Sequence, residues 1–287
     1  MTAKVIDGKK IASELRKNVL KEVEQLKLKY KKIPNIVTIK IGSDPSSDLY
    51  FRLRNKACEE VGINSKPLEF PDKVNEEEVL KSINQLNNDN DVHGILIQLP
   101  LPNHISHDKL INSLNPKKDV EGLTPYNMGK TLIGDENIIP CTPLSVLTIL
   151  EYENTKLEGK DVVIVNHSNI VGKPLSVLFL NRNSSVSVVH VFTKDLKSYT
   201  SKADILVTAA GVPRFINKEY VKDNAFVIDV GIIKTEKGIC GDVDFESVKE
   251  KAGKITPVPG GVGPVTVASS LKNMIMTFKN CIEDKKE

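Results

Sequence analysis

Tyr50 and Arg54 stand four residues apart in the stretch DLYFRLRNKACEEVG, and residues at that spacing share one face of a helix. A phenol beside a guanidinium can orient a polar ring or an anion. It cannot relay protons well, because arginine keeps its proton at any ordinary pH. On an arbitrary helix such a pair is simply a solvated face. Lys56 follows Tyr50 by six residues and falls about 240° round the helix, so it points elsewhere.

A second candidate begins where the apolar run DVVIV (161–165) meets Asn166-His167-Ser168-Asn169-Ile170-Val171-Gly172-Lys173-Pro174 and then a helical stretch. A tight strand-to-helix turn aims backbone N–H groups and the positive helix end at one point, which suits a pyrophosphate. Of the glycine fingerprint G-x-G-x-x-G only Gly172 is present, so the turn by itself reads equally as an ordinary connection. A third is Pro257-Val258-Pro259-Gly260-Gly261-Val262-Gly263-Pro264. Alternating fixed φ with glycine freedom excludes regular helix or strand there. It leaves either a rigid loop or a backbone laid close against a flat ligand.

Other clusters carry less. His104 and His107 lack a third ligand nearby and read as surface residues, so no metal is expected. No Ser-His-Asp or Cys-His nucleophile arrangement has support. The acidic run after Asn75 opens a helix, where negative charge is favourable.

The elements that must position these residues follow an alternating pattern. Apolar residues recur every three or four positions through 8–30, an amphipathic helix. A β-branched strand (36–42), a turn and cap at Asp44-Pro45-Ser46-Ser47, a helix to about Val61, a helix over 75–89 and a strand over 93–100 come next. Strand and helix in alternation imply parallel pairing. Pro140-Cys141-Thr142-Pro143 punctuates the chain, and a bridging helix follows it. Four fully apolar strands, at 161–165, 186–191, 204–210 and 225–232, then describe a sheet covered on both faces. The expected architecture is α/β: an N-terminal catalytic domain (1–144) and a doubly wound, Rossmann-type dinucleotide domain (145–265). A final helix (266–287) returns to the first domain.

The length of 287 residues suits two such domains. Forty basic and 37 acidic residues, dispersed along the chain for a net charge of +3, form no basic stripe. With no Trp and 5% aromatics, nucleic acid is excluded as the expected partner. Four cysteines far apart, without a C-x-x-C pair, read as reduced thiols in a reducing compartment. The first residues lack an apolar leader, and no run nears the roughly 20 apolar residues that span a bilayer. A cytoplasmic location without a membrane partner is expected.

Nine segments, in order, carry a resemblance over nearly the whole chain. They are VIDGKKIA, YFRLRNKACEEVG (50–62), VHGILIQLPLP (92–102), KKDVEGL (117–123), PCTP, SNIVGKP (168–174), VIDVGI (227–232), GDVDF (241–245) and ITPVPGGVGPVT (255–266). The chain resembles the bifunctional methylenetetrahydrofolate dehydrogenase/cyclohydrolase (FolD) family, and QLPLP and PVPGGVGP are its most specific strings.

The resemblance implies a tetrahydrofolate substrate, a nicotinamide dinucleotide, an active site in an interdomain cleft and a homodimer. It implies catalytic positions at Tyr50, Arg54, Gln98 and Glu121, with Arg54 where the family has lysine and Glu121 where it has aspartate. It implies dinucleotide contacts at Asn166, His167, Ser168, Gly172 and Ile232. Pro259, Gly260, Gly261, Gly263 and Pro264 are placed by it beside the nicotinamide and the folate. The family's G-R-S turn has become Asn166-His167-Ser168, and Val191 follows His190 where a serine is usual. NADP is the expected cofactor, with NAD as the alternative.

Hydride transfer from the methylene bridge needs chiefly alignment, whereas hydrolysis of the methenyl product needs water activated and protons moved. The expectation is a surviving dehydrogenase with a weakened cyclohydrolase, and Arg54 pairing with Glu121. Alternatives are a dehydrogenase without any cyclohydrolase, or a folate- or nucleotide-binding regulator without turnover.

Overall fold

The computed structural model describes residues 2–236 and 238–283, and all side chains among them except those of 45–47. The cap expected at Ser46 and Ser47 therefore lies outside the described side chains.

In chain order the elements are β1 (Lys4–Val5), α1 (Gly8–Tyr30), β2 (Asn35–Ile41), α2 (Pro45–Glu60), β3 (Asn64–Phe70), α3 (Glu76–Asn88), β4 (Gly94–Ile97), α4 (His107–Ser113), α5 (Pro125–Leu132) and α6 (Cys141–Tyr152). There follow β5 (Asp161–Val165), α7 (Gly172–Leu180), β6 (Ser185–Val189), α8 (Leu196–Thr200), β7 (Ile205–Thr208), β8 (Phe226–Asp229), β9 (Ile233–Thr235), β10 (Gly238–Cys240), α9 (Phe245–Val248), β11 (Lys254–Ile255) and α10 (Val262–Glu283). Two compact units emerge. One comprises 1–12, 131–135 and 142–266, the other 13–130, 136–141 and 267–287.

The first twelve residues, expected with the catalytic domain, cluster with the dinucleotide unit. The reason is β1, whose Lys4 and Val5 pair in parallel with Lys254 and Ile255. A strand of two residues carries no period that a sequence could show.

The dinucleotide unit holds a parallel sheet in the order β1-β11-β8-β7-β5-β6. Val163, Val165, Leu206 and Val227 lie in its core with Val189, Ile216 and Ile255. A short antiparallel pair, β9 and β10, stands apart from that sheet.

The other unit is built on a parallel sheet in the order β3-β2-β4. One apolar cluster joins Ile39, Ile95 and Ile97 to Val79, Ile83 and Leu110 of α3 and α4. A second joins Val19 and Val23 of α1 and Cys58 of α2 to Leu271, Met274 and Phe278 of α10. The C-terminal helix thus completes the core of this unit.

Prolines in two sequence segments sit inside helices, contrary to expectation. Pro143 falls in the first turn of α6 and Pro264 in that of α10. A first-turn residue needs no intrahelical N–H, so proline is tolerated there. Only the front of the proline-glycine loop, Pro257 to Gly261, is irregular. Its Val258–Pro259 peptide is cis, as is Leu99–Pro100 in QLPLP. Among the described residues no helix is long and apolar enough to cross a membrane.

Candidate active site

In the unit built on β2, β3 and β4, α2 carries Tyr50 and Arg54 one turn apart. The guanidinium carbon lies 5.6 Å from the Tyr50 ring centroid and 6.0 Å from that of Phe51. Arg54 is 1% exposed, an unusual burial for this residue type. Its Nη2 donates to Gln98 Oε1 at 3.1 Å and to Thr38 Oγ1 at 3.3 Å. Gln98 leaves the end of β4, and its Nε2 donates to the Leu99 carbonyl at 3.1 Å, which turns its oxygen rather than its nitrogen towards the arginine. Arg54 Nε is buried and has no hydrogen-bond partner among the described residues.

Glu121 arrives from the segment that bridges β4 through Ile95 and Asp119. Asp119 clamps that segment. Its Oδ1 accepts from Gly122 N–H at 2.9 Å, and its Oδ2 from Thr124 N–H at 2.8 Å and Asn127 Nδ2 at 3.0 Å. Glu121 is half-buried as a residue, with its carboxyl turned inward. Burial pushes its pKa up to about 7, against the pull of the Arg54 cation, and the nearby Asp119 charge adds to the rise. Burial likewise drives the Tyr50 phenol well above its usual range, with Arg54 opposing.

The expected Arg54–Glu121 pair does not form within 4.0 Å among the described residues. Arginine instead spends its Nη2 on two neutral oxygens while its charge still acts on Glu121. All four catalytic candidates, Tyr50, Arg54, Gln98 and Glu121, therefore share one neighbourhood in one unit. Two members escaped the sequence reading. Thr38 had a signal, a hydroxyl inside the apolar run IVTIKIG. Asn273 had none: its Nδ2 donates to Val120 O at 2.9 Å and Ile139 O at 2.7 Å.

In the dinucleotide unit, the turn after β5 departs from the anion-hole expectation. The side-chain oxygen of Asn166 accepts from Ser168 N–H (2.8 Å), Ser168 Oγ (2.7 Å) and Gly172 N–H (3.0 Å). Ser168 Oγ in turn accepts from Val171 N–H at 3.1 Å. Three backbone donors expected to face a pyrophosphate are thus satisfied inside the turn. Gly172 is required because a Cβ there would overlap the Asn166 carbonyl.

His167 is exposed, and its ring centroid lies 4.5 Å from that of His190, at the end of β6. His190 in turn meets Phe192 edge-on at 5.9 Å. A cavity of about 420 Å³ adjoins them, lined by His190, Phe192, Lys194 and Tyr199 among others. Ile232 is 64% exposed after β8. Gly263, at the start of α10, faces it: a Cβ there would come 3.6 Å from Ile232 Cδ1, an ordinary van der Waals contact. Pro259, Gly260 and Gly261 form the loop ahead of that helix, with Pro264 in its first turn.

His104 Nε2 donates to the Val74 carbonyl, 3.0 Å away. No group of three or more His, Cys, Asp or Glu residues capable of holding a metal ion occurs among the described residues.

Comparison with known proteins follows the two units. Residues 6–121 match the catalytic domain of the tetrahydrofolate dehydrogenase/cyclohydrolase family, and 140–282 match that family's NAD(P)-binding domain. The chain is 51% identical over 274 residues to the bifunctional protein FolD of Methanosarcina mazei, covering 96% of each. Among solved structures it is similar to the bifunctional enzyme FolD, a methylenetetrahydrofolate dehydrogenase/cyclohydrolase, from Campylobacter jejuni. The TM-score is 0.94 at 43% identity, covering 97% of this chain and 99% of that one. It is also similar to the methylenetetrahydrofolate dehydrogenase-cyclohydrolase of Trypanosoma brucei, solved with NADP cofactor and inhibitor, with TM-score 0.93, 36% identity and coverage of 97% and 98%. With a matching catalytic domain, a matching NAD(P)-binding domain and near-complete coverage, this chain belongs to the tetrahydrofolate dehydrogenase/cyclohydrolase family.

Proposed function

We propose that this chain oxidises methylenetetrahydrofolate to the methenyl form with NADP, and that it hydrolyses the methenyl product to formyltetrahydrofolate slowly for its family. The observation that carries this reading is Arg54, buried and bonded to Gln98 and Thr38 where the resemblance implies lysine. A buried lysine can lose its proton and work as a base. Arginine cannot, so it is left with orientation and charge. Its unpartnered Nε–H offers a donor that an acceptor on the bound folate would satisfy. Tyr50 and Gln98 line the same neighbourhood, and Glu121 supplies the titratable carboxyl beside it.

The dinucleotide, when bound, takes up the hydride that leaves the methylene carbon. The residues around the ends of β5 and β6 fit it. In sheets of this type an Asp or Glu about 20 residues beyond the glycine turn selects the ribose diol of NAD. Here that position is His190, eighteen residues after Gly172, and no carboxylate stands in 166–174. His167, His190 and Lys194 present nitrogen donors instead, which supports NADP. The exposed His167 and Ile232 would touch the cofactor, Asn166 and Ser168 would hold it by shaping the turn through the bonds they make there, and Pro259 to Pro264 would lie nearer its nicotinamide. The resemblance and the free cysteines further support a homodimer acting in the cytoplasm.

Purified protein given methylenetetrahydrofolate with NADP or NAD at equal concentration tests the reading by absorbance. Reduced dinucleotide forms faster with NADP, and methenyl product accumulates because its hydrolysis lags at least about tenfold. Hydrolysis as fast as oxidation refutes the role given to Arg54. No absorbance change with either dinucleotide refutes the enzyme.

A further inference from the structure

Two aspartates of the dinucleotide unit, Asp229 and Asp242, take no part in the chemistry above yet are 3% and 0% exposed. Burying carboxylates is costly, and apolar side chains of similar volume would serve stability at least as well. Their surroundings show what the charge does instead.

The order β8-β7-β5-β6 reverses direction between β5 and β7. The crevice at such a switch point, beyond the carboxyl ends of the strands, is where parallel sheets bind their ligands. Two segments flank it: the turn after β5 and the exposed loop after β7 that begins at Ala209. Asn166 ties them together, its Nδ2 donating to the Ala209 carbonyl at 2.7 Å. The next residues belong to Asp242, whose Oδ2 accepts from Ala210 N–H at 2.6 Å and whose Oδ1 accepts from Val212 N–H at 3.0 Å.

Asp242 is itself held. Its N–H donates to Asp229 Oδ1 at 3.1 Å, the oxygen that also accepts from Gly231 N–H at 2.9 Å. Asp229 Oδ2 accepts from Val243 N–H at 2.9 Å. A Cβ at Gly241 would overlap the Asp229 carboxylate, and one at Gly231 would come 2.7 Å from Asp242 Oδ1. Both glycines of VIDVGI and GDVDF are thus needed for this close approach. An ionised carboxylate offers acceptors only, so each oxygen can take N–H groups without a conflicting hydrogen.

We propose that Asp242, braced by Asp229, is a positioning residue for the dinucleotide: it fixes the backbone of Ala210 to Val212 at the switch point, and through Asp229 that of Gly231 beside Ile232. The proposal rests on the NAD(P) reading of this unit. It separates the two substrates, because the loops it holds belong to the dinucleotide half alone.

The test is steady-state kinetics of the full-length Asp242→Asn protein, with dinucleotide titration of the wild type and amide hydrogen exchange of both. Asparagine keeps one acceptor and turns an NH₂ towards the other N–H. The KM for NADP then rises about tenfold, while kcat and the KM for methylenetetrahydrofolate stay within about threefold. Exchange at Ala210 and Val212 quickens while β5 and β7 stay protected. Equal shifts in both KM values, or no shift, overturn the proposal. If Asp242→Asn does not fold, Asp229→Asn loosens the brace on Asp242 without touching a residue assigned to the cofactor: a dinucleotide-selective rise in KM supports the proposal and its absence overturns it. A wild-type protein that binds neither NAD nor NADP overturns the NAD(P) reading and this proposal with it. That result is distinct from a wild type that binds and a variant that is unchanged.

Discussion

Arg54 donates to Gln98 Oε1 at 3.1 Å, and Gln98 in turn holds the Leu99 carbonyl, so a side chain on α2 and one beyond β4 form a single polar unit. A cation with five donors suits this arrangement, because it bonds two neutral oxygens and keeps its proton throughout. The cost is the loss of a proton carrier. Arg54→Lys restores one. An ammonium in this buried place titrates below its usual range because burial disfavours its charge, and hydrolysis of the methenyl substrate is expected to rise about tenfold or more. Oxidation should change much less, since it depends on alignment. Rates of both steps on the same preparation check this, and an equal change in the two would show that Arg54 only shapes the pocket.

Glu121 introduces a pH dependence. Its carboxyl, raised by burial to about 7, ionises near 4.3 in an unfolded chain. Between those values the native state holds a proton that the unfolded state has released, so stability falls as pH rises through that window. Below about 4 the contribution is complete, and above about 7 it is gone. The urea midpoint of the wild type should therefore drop between pH 5 and 8 by more than that of Glu121→Gln, which has no such proton to lose. A step of the reaction that uses the carboxylate should rise through about pH 7, and Glu121→Gln should flatten that limb.

Much of this site was readable in the residues. Gln98 stood out in QLPLP, Tyr50 and Arg54 share a helix face by spacing alone, and four strands fall on the apolar runs, though β7 and β8 keep only four residues each and β6, at the sheet edge, is largely exposed rather than covered on both faces. What escaped has physical causes. β3 contains Pro67 and mostly solvent-facing polar residues; it lies at the sheet edge against β2, so it lacks the apolar alternation that marks a strand. KKDVEGL offers two carboxylates, and only the fold shows that Asp119 is spent on Gly122, Thr124 and Asn127 while Glu121 is left for the site. The Asn166 cage was hidden because its bond to Gly172 spans six residues of loop, beyond any local pattern.

His167 and His190, with ring centroids 4.5 Å apart and planes tilted by 38°, are the residues on which the proposed preference for NADP is tested. A guanidinium at 167 would supply a permanent charge and a fork of donors to a 2′-phosphate. His167→Arg is expected to raise the NADP-to-NAD ratio of kcat/KM by about tenfold, equivalent to about 1.4 kcal/mol. His167→Ala should lower that ratio. Parallel assays with both dinucleotides decide it; an unchanged ratio in both variants would place discrimination at Lys194 or elsewhere along the cavity.

Asn273 of α10 carries the last prediction. Its amide donates to the carbonyls of Val120 and Ile139 and is 2% exposed. Val120 directly precedes Glu121, so this one side chain holds the carboxyl-bearing segment from behind. Asn273→Leu fills the space with an apolar group of similar size and leaves two buried carbonyls without that donor, which costs about 2 to 4 kcal/mol. The loss should appear as a lower urea midpoint with an unchanged slope. It should also raise the KM for methylenetetrahydrofolate more than the KM for dinucleotide, because the released segment is the one bearing Glu121. Asn273→Asp keeps the shape but brings an acceptor against two acceptors, and is expected to be at least as destabilising. A stable Asn273→Leu protein with an unaltered folate KM would show that Asp119 alone suffices to hold Glu121 in place.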